Sequence, residues 1–169
     1  MQVCMIKEPI GSRTIRYRGI FDMDGLYKMM VQWIKSRDFD FYDRRNLDKP
    51  PYKIFKLEGR KKINYTVMYT LNPEIWVMEG KPVEIIKDGH MKHLMEGRLK
   101  IIIDGNIILD YDGDFEDTPG NKKIEKFLYG KVLYHEYFIK HLDYFDYYLY
   151  DMMQDVKKFL EMETATNAY

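Results

Sequence analysis

The residue types best suited to chemistry occur first in an acidic run, residues 110–117. Asp110, Asp112 and Asp114 alternate in the way that the first ligands of a calcium-binding EF-hand loop do. That loop requires glycine at its sixth position, where this chain has Phe115, and glutamate at its twelfth, which this chain also lacks. The run therefore predicts a solvated strand end, whose carboxylates favour the N-terminus of a following helix, rather than a metal site.

The histidines are spaced unfavourably for sharing a metal ion. His90 and His93 lie three residues apart on a predicted strand, so their side chains point to opposite faces. His135 and His141 lie six residues apart on a predicted helix, which also places them on different faces. We therefore expect structural histidines, no metal ligands and no cofactor.

Candidate nucleophiles are scarce in this chain. Cys4 is the single cysteine, and its sequence neighbours include no base of the kind that activates a nucleophile. Ser12 and Ser36 are the only serines, and neither a glycine-rich phosphate loop nor a G-x-S-x-G turn occurs. We assign no catalytic residue, and the sequence favours a non-enzymatic protein over an enzyme. The enzymatic alternative would pair glutamates as acid and base across a sheet, from among Glu58, Glu79, Glu84 and Glu96.

Basic residues cluster at 44–45, 59–62 and 122–123. Aromatic residues near the first two clusters could form with them a sheet surface that stacks single-stranded RNA: Tyr42, Tyr52, Phe55 and Tyr65. The alternative, which we favour, is a solvated strand edge whose cations discourage unwanted pairing. Because the 27 basic and 27 acidic residues cancel, the composition argues against nucleic acid as a partner held by bulk charge.

The longest element that the sequence predicts is a helix from Thr118 to Glu163. Thr118 followed by Pro119 supplies an N-cap and a proline at the first helical position. Gly130 interrupts the pattern, and we expect a kink or a break near it. Apolar residues recur at steps of four and three, the spacing of a heptad seam: Phe138, Leu142, Phe145, Leu149, Met152, Val156 and Phe159.

Tyrosines lie on nearly every face of the middle turns of the same helix: Tyr134, Tyr137, Tyr144, Tyr147, Tyr148 and Tyr150. A helix that is apolar almost all round is buried from several sides, and a sheet of the same domain covers one of them. Rings with a polar tip are favoured at protein interfaces. The alternatives are the core helix of a small α+β domain and a helix that lines a ligand site. We predict an interface at Phe138, Leu142, Phe145, Tyr148, Leu149, Met152, Val156 and Phe159.

The chain before this helix predicts a strand, a helix and then a series of strands. Residues 14–21 alternate as a strand does, and Asp22 and Asp24 can cap a helix that ends near Arg37. From residue 39 to residue 112 almost every segment predicts strand or turn. The links between strands are too short for crossovers, so the predicted sheet is antiparallel, and the two helices are its only cover.

Turn signals divide this region into strands. They occur at residues 72–73, 80–82, 88–89 and 104–106. They predict a sheet of about six or seven strands. The fold class is therefore α+β, with an N-terminal strand and helix, an antiparallel sheet, and a long C-terminal helix packed on the sheet or projecting from it.

One domain is the natural count at this length, over residues 1–163, followed by a flexible tail at 164–169. Lys7, Glu8 and Pro9 interrupt any apolar core of a signal peptide. The lone cysteine suits a reducing compartment, and no apolar run approaches the roughly 18 residues of a membrane span. We expect a soluble protein, in the cytoplasm or within a particle assembled there.

In its element order the chain resembles the helix-grip (START-like) fold, a curved antiparallel sheet wrapped around a long C-terminal helix. It departs from that fold in lacking a second short helix after the first strand. The resemblance implies an alternative function, a module that binds an apolar small molecule between sheet and helix. The cavity would be lined by Tyr65, Tyr69 and Trp76, together with Phe138 and Phe145.

The function that the sequence favours is that of a non-enzymatic structural or interaction protein. It would self-associate or dock on another protein through its tyrosine-rich C-terminal helix, as a component of a larger particle or filament does. The expected partner is thus a second copy of the chain or another protein.

Overall fold

The computed structural model describes residues 6–65, 67–87, 90–109, 111 and 139–161. Within this part of the chain the strands form one five-stranded antiparallel sheet, in the order β1-β5-β4-β3-β2. The predicted α+β class and antiparallel sheet are confirmed. The elements are β1 (Ile6–Phe21), α1 (Met23–Ser36), β2 (Asp40–Lys49), β3 (Tyr52–Lys62), β4 (Val67–Lys87), β5 (His90–Leu109) and α2 (Ile139–Phe159).

Five strands replace the six or seven predicted, because three of the four predicted breaks lie inside continuous strands. Asn72 and Pro73 lie within β4, where Pro73 pairs with Ile103 of β5. Since proline cannot donate a ladder hydrogen bond, the pairing of β4 with β3 is interrupted here while its pairing with β5 continues. Residues 104–106, another predicted turn, lie inside β5 and pair with both neighbouring strands.

The remaining two turn signals give one hairpin and one bulge. Lys87 of β4 pairs with His90 of β5, so the two strands meet as a hairpin where the sequence predicts one. The turn signal at residues 80–82 does not end β4. The register shifts between Met78 and Lys81 instead, and Glu79 has a φ of 57° at this bulge.

Helix α1 begins where the sequence predicts, because Asp22 accepts a hydrogen bond from the backbone N–H of Gly25 at 2.8 Å. Leu26, Met30 and Ile34 recur at helical spacing and have no exposed surface. The helix therefore buries one apolar stripe in the core of the chain.

Helix α2 covers the C-terminal part of the predicted long helix. The expected kink near Gly130 and the tail after residue 163 lie outside the described residues. Lys157 and Lys158 occupy its last turn, where cations suit the helix dipole. Neither of the two described helices is long and apolar enough to cross a membrane.

The strands present alternate residues to the two sides of the sheet. One side packs against both helices, and Leu99, Ile101, Ile103 and Ile107 of β5 are buried there. We call the other side the open face, because the two helices of the described residues, α1 and α2, both lie on the opposite side.

Candidate functional site

The apolar seam of α2 faces the chain's own sheet. The ring of Phe145 has no exposed surface and stacks on Tyr69 of β4, with centroids 4.4 Å apart and an interplanar angle of 16°. Gly105 of β5 allows this close approach, because an added Cβ would lie 3.0 Å from both Phe145 Cε1 and Leu149 Cδ2. The glycine that suggests a turn in the sequence is therefore a packing position under α2.

Ion pairs hold α2 to its neighbours on two sides. Arg13 of β1 places Nη2 2.5 Å from Oδ1 of Asp146. Arg37, at the end of α1, pairs with Asp151 and approaches Asp155 at 4.0 Å. All of these side chains are partly exposed, so each pair contributes on the order of 0–1 kcal/mol. The ion pairs orient the helix, whereas the buried seam supplies most of the stabilisation.

A hydrogen bond near the N-terminal end of α2 joins the helix to the sheet. Nδ1 of His141 lies 2.6 Å from the hydroxyl of Tyr69. Burial lowers the pKa of His141, and the positive charge of Lys140 lowers it further. Burial raises the pKa of Tyr69, so its hydroxyl keeps its proton at neutral pH. A neutral imidazole can accept that proton in a hydrogen bond.

The structure places most of the predicted interface residues against the chain's own core. Phe145, Leu149, Met152 and Val156 have no exposed surface. Phe138 lies outside the described residues. The remaining three pack against the core and keep part of their surface exposed: Leu142, Tyr148 and Phe159.

The outward side of α2 carries three tyrosines that the predicted interface omits. Tyr144, Tyr147 and Tyr150 are 62%, 73% and 50% exposed. We call these three residues the tyrosine face. The heptad spacing identifies only the residues on the inward side of the helix. The tyrosines between the heptad positions were the sequence feature that could have predicted the outward side.

The tyrosine face borders a hollow of about 790 Å³ between α2 and β1. Its walls mix aromatic, aliphatic and charged groups, which is typical of a surface that binds a protein rather than of an apolar ligand site. The lining includes Tyr147 and Tyr150 of the tyrosine face, and also Ile10, Arg13, Asp143 and Asp146.

The structure does not bring together the three residues predicted to line an apolar cavity. Tyr69 is 1% exposed and faces the helices. Trp76 lies on the open face, where its Nε1 donates a hydrogen bond to Glu74 at 2.9 Å. Tyr65 is 73% exposed in the link between β3 and β4. Tyr69 and Trp76 therefore lie on opposite sides of the sheet, with Tyr65 in a link between strands, and the three side chains do not line one cavity.

Within the described part of the chain, no group of three or more metal-binding side chains comes together. His93 lies 3.2 Å from Glu84 on an exposed part of the β4–β5 hairpin. Cys4, His135 and the acidic residues of the run at 110–117 lie outside the described residues.

Two of the predicted basic clusters meet on the open face. The antiparallel pairing of β2 with β3 places Tyr42 opposite Glu58, which is 7% exposed. Glu58 accepts hydrogen bonds from Nε of Arg44 and from Nε of Arg60, the latter at 2.5 Å. Burial by itself raises the pKa of Glu58, but these two bonds outweigh it and hold the pKa below its usual range.

One of the four aromatic residues considered for an RNA surface joins this cluster. The ring of Tyr42 lies 6.0 Å from the guanidinium carbon of Arg44 and 5.1 Å from that of Arg60. Phe55 instead faces α1. Tyr52 and Tyr65 are exposed at the start of β3 and after its end. The basic cluster at 122–123 lies outside the described residues.

Comparison of the chain with protein-family models, with curated proteins and with solved structures finds no match. Its function must therefore be inferred from its own geometry.

Proposed function

We propose that the chain is a non-enzymatic structural or interaction protein that self-associates through the tyrosine face of α2. The partner is a second copy of the chain, in a dimer or in a larger particle or filament. The observation that carries this proposal is the exposure of Tyr144, Tyr147 and Tyr150 together on the outward side of one helix.

The chemistry of tyrosine supports this role. Each ring offers apolar area beside a hydroxyl that can still form a hydrogen bond, and tyrosine is enriched at interfaces for this reason. It has few rotatable bonds, so its immobilisation costs little conformational entropy. Because the seam beneath packs into the core, α2 presents these rings on a rigid support.

The size of the tyrosine face determines the expected affinity of self-association. A fully buried aromatic side chain removes about 150–250 Å² from water, so the exposed parts of these three rings supply roughly 350 Å² per copy. A standard interface buries about 800 Å² per partner, so the rings provide the centre and their neighbours the remainder. Ile139, which is 47% exposed, and the walls of the adjacent hollow are the nearest such neighbours. Weak association in the micromolar range is therefore expected.

The hollow beside the tyrosine face distinguishes two forms of assembly. Packing of the tyrosine faces of two copies against each other gives a closed two-fold dimer. Insertion of a ring into the hollow of the next copy gives an open-ended chain of copies. Tyr147 and Tyr150 line the hollow whereas Tyr144 is outside its lining, so loss of Tyr144 should weaken the dimer more than the open chain.

Light scattering over a concentration series tests the proposal. The mass of the wild-type chain should rise with concentration, and Tyr147→Ala should shift that rise to about tenfold higher concentration, as expected for a central interface residue. Tyr52→Ala is the matched control, because Tyr52 is 52% exposed on β3, away from α2. A wild-type chain that stays monomeric, or a control that weakens association equally, would contradict the proposal.

The alternative function, binding of an apolar small molecule, needs a cavity between the sheet and α2. At Phe145 and Leu149 that space is occupied by their close contacts with Tyr69 and Gly105. No specific observation favours this alternative over self-association.

A further inference from the structure

The open face contains a hollow of about 530 Å³, which we call the basic pocket. It lies on the side of the sheet opposite the tyrosine face, where alternate residues of β3 and β4 point away from the helices. Its charged and amide side chains come from four different segments of the chain: Lys7, Arg44, Glu58, Arg60, Lys62 and Asn72.

The charges of the basic pocket are unbalanced. Among the described residues, four cations, Lys7, Arg44, Arg60 and Lys62, line it beside one carboxylate, that of Glu58. Because the pKa of Glu58 is lowered, this carboxylate is ionised at neutral pH, and the described side chains of the lining have a net charge of +3. A concave surface of one sign concentrates its field and attracts an anion.

Glu58 positions the two arginines rather than cancelling them. It is 7% exposed and receives one Nε–H from Arg44 and one from Arg60. These bonds use Nε of each guanidinium, so the terminal nitrogens remain as further donors. Tyr42 lies against both guanidiniums and limits their movement. Two oriented arginines are the donors best matched to the oxygens of a phosphate.

The other polar groups of the basic pocket have donors to spare. Lys62 lies 4.8 Å from the ring centre of Tyr111. Within the part of the chain that the structure describes, neither Lys62 nor Lys7 has a carboxylate partner, and the side-chain amide of Asn72 has no hydrogen-bond partner. A ligand that brings several acceptor oxygens would satisfy these groups at once.

We propose that the basic pocket binds the phosphate groups of a nucleotide-type ligand. The arginines and lysines would bind the phosphates, and the rings of Tyr42 and Tyr111 at its margin would stack on the base. Its volume lies within the range of about 300–1,000 Å³ that small-molecule sites have. The proposal is independent of self-association, since the tyrosine face lies on the other side of the sheet.

Fluorescence or calorimetric titration of the full chain at low and high salt tests the proposal, with pyrophosphate, ATP and a single-stranded oligonucleotide as probes. Lys62→Gln and Lys7→Gln should each weaken binding about tenfold, because each removes a charge-assisted hydrogen bond. Neither lysine is buried, so both variants should fold. Lys28→Gln is the matched control, since Lys28 is an exposed lysine on α1, across the sheet.

Two outcomes separate the sources of the phosphate. Arg16 and Lys100 are neighbours on the open face. They lie eight residues along β5 from the row of Ile108, a distance on the order of 25 Å. If Lys100→Gln leaves ATP binding unchanged but weakens oligonucleotide binding, the phosphates belong to a strand that crosses the sheet. If it affects neither probe, the ligand is a small nucleotide held in the basic pocket alone.

Either of these results supports phosphate recognition by the basic pocket. The proposal is overturned if none of the three probes binds at low salt. It is equally overturned if Lys28→Gln weakens binding as much as Lys62→Gln does, because the attraction would then be that of the overall charge.

Discussion

Replacement of Phe145 by alanine tests whether the docking of α2 stabilises the fold. The ring has no exposed surface, stacks on Tyr69 with centroids 4.4 Å apart and lies 6.4 Å from the ring of Phe39. Truncation of a buried phenylalanine costs about 3–5 kcal/mol. Each aromatic pair contributes about 0.5–1.5 kcal/mol beyond the burial of its surface. We therefore expect a loss in the upper half of the range for a buried phenylalanine. Domains have total stabilities of about 5–15 kcal/mol, so this loss would bring the variant close to unfolding.

Urea unfolding followed by circular dichroism measures this loss, by linear extrapolation to water. Tyr52→Ala is the control, because Tyr52 is 52% exposed on β3, away from the tyrosine face, and its loss should change stability by less than about 0.5 kcal/mol. A loss below about 1 kcal/mol for Phe145→Ala would refute the reasoning, because the removal of a ring packed between sheet and helix destabilises a fold by more than that.

Two further predictions concern the contact between α2 and the sheet. Gly105→Ala should destabilise the chain by about 1–3 kcal/mol, because the new Cβ would lie 3.0 Å from side-chain atoms of Phe145 and Leu149. The same urea titration measures this loss of stability. If the stability of Gly105→Ala were unchanged, α2 would have to lie farther from β5 than described. Stability should also fall as the pH drops below about 6.5, since the lowered pKa of His141 lets the unfolded chain bind the proton first. The stabilisation associated with neutral His141 is fully present above the pKa of the unfolded chain. It is lost as the pH falls through the lower pKa of the folded chain. Replacement of His141 by glutamine should reduce this fall between about pH 7.5 and pH 5.5, and an identical fall in both proteins would exclude His141 as its origin.

Local patterns predicted the elements whose signals are complete within a few residues. Helix α1 is the clearest case, because the Asp22 cap and the spacing of Leu26, Met30 and Ile34 lie within one short segment. The class of the fold and the antiparallel sense of the sheet followed from the same patterns and from the short links.

The strand number could not be predicted because distant residues decide it. Asp104-Gly105-Asn106 has the composition of a hairpin turn, yet Gly105 lies inside β5, where Phe145 and Leu149 of α2 need its lack of a side chain. Those contacts join positions about forty residues apart in the sequence, so no local pattern contains them.

The candidate surfaces were predictable only in part. Heptad spacing identified the seam of α2, but it is the same whether the seam packs on the chain's own sheet or on a second copy. The fold buries Phe145 against Tyr69, which leaves the outward tyrosines exposed. Likewise, the basic clusters at 44–45 and 59–62 were visible in the sequence, whereas their meeting around Glu58 depends on the register of β2 with β3.

The most direct test of self-association is the solution mass of the wild-type chain by light scattering across a concentration series. Self-association through the tyrosine face predicts a mass that rises above the 20.5 kDa of one chain as the concentration increases. It also predicts that Tyr147→Ala needs about tenfold higher concentration for the same rise. A wild-type mass of 20.5 kDa at every concentration would contradict it, and the tyrosine face would then be ordinary solvent-exposed surface.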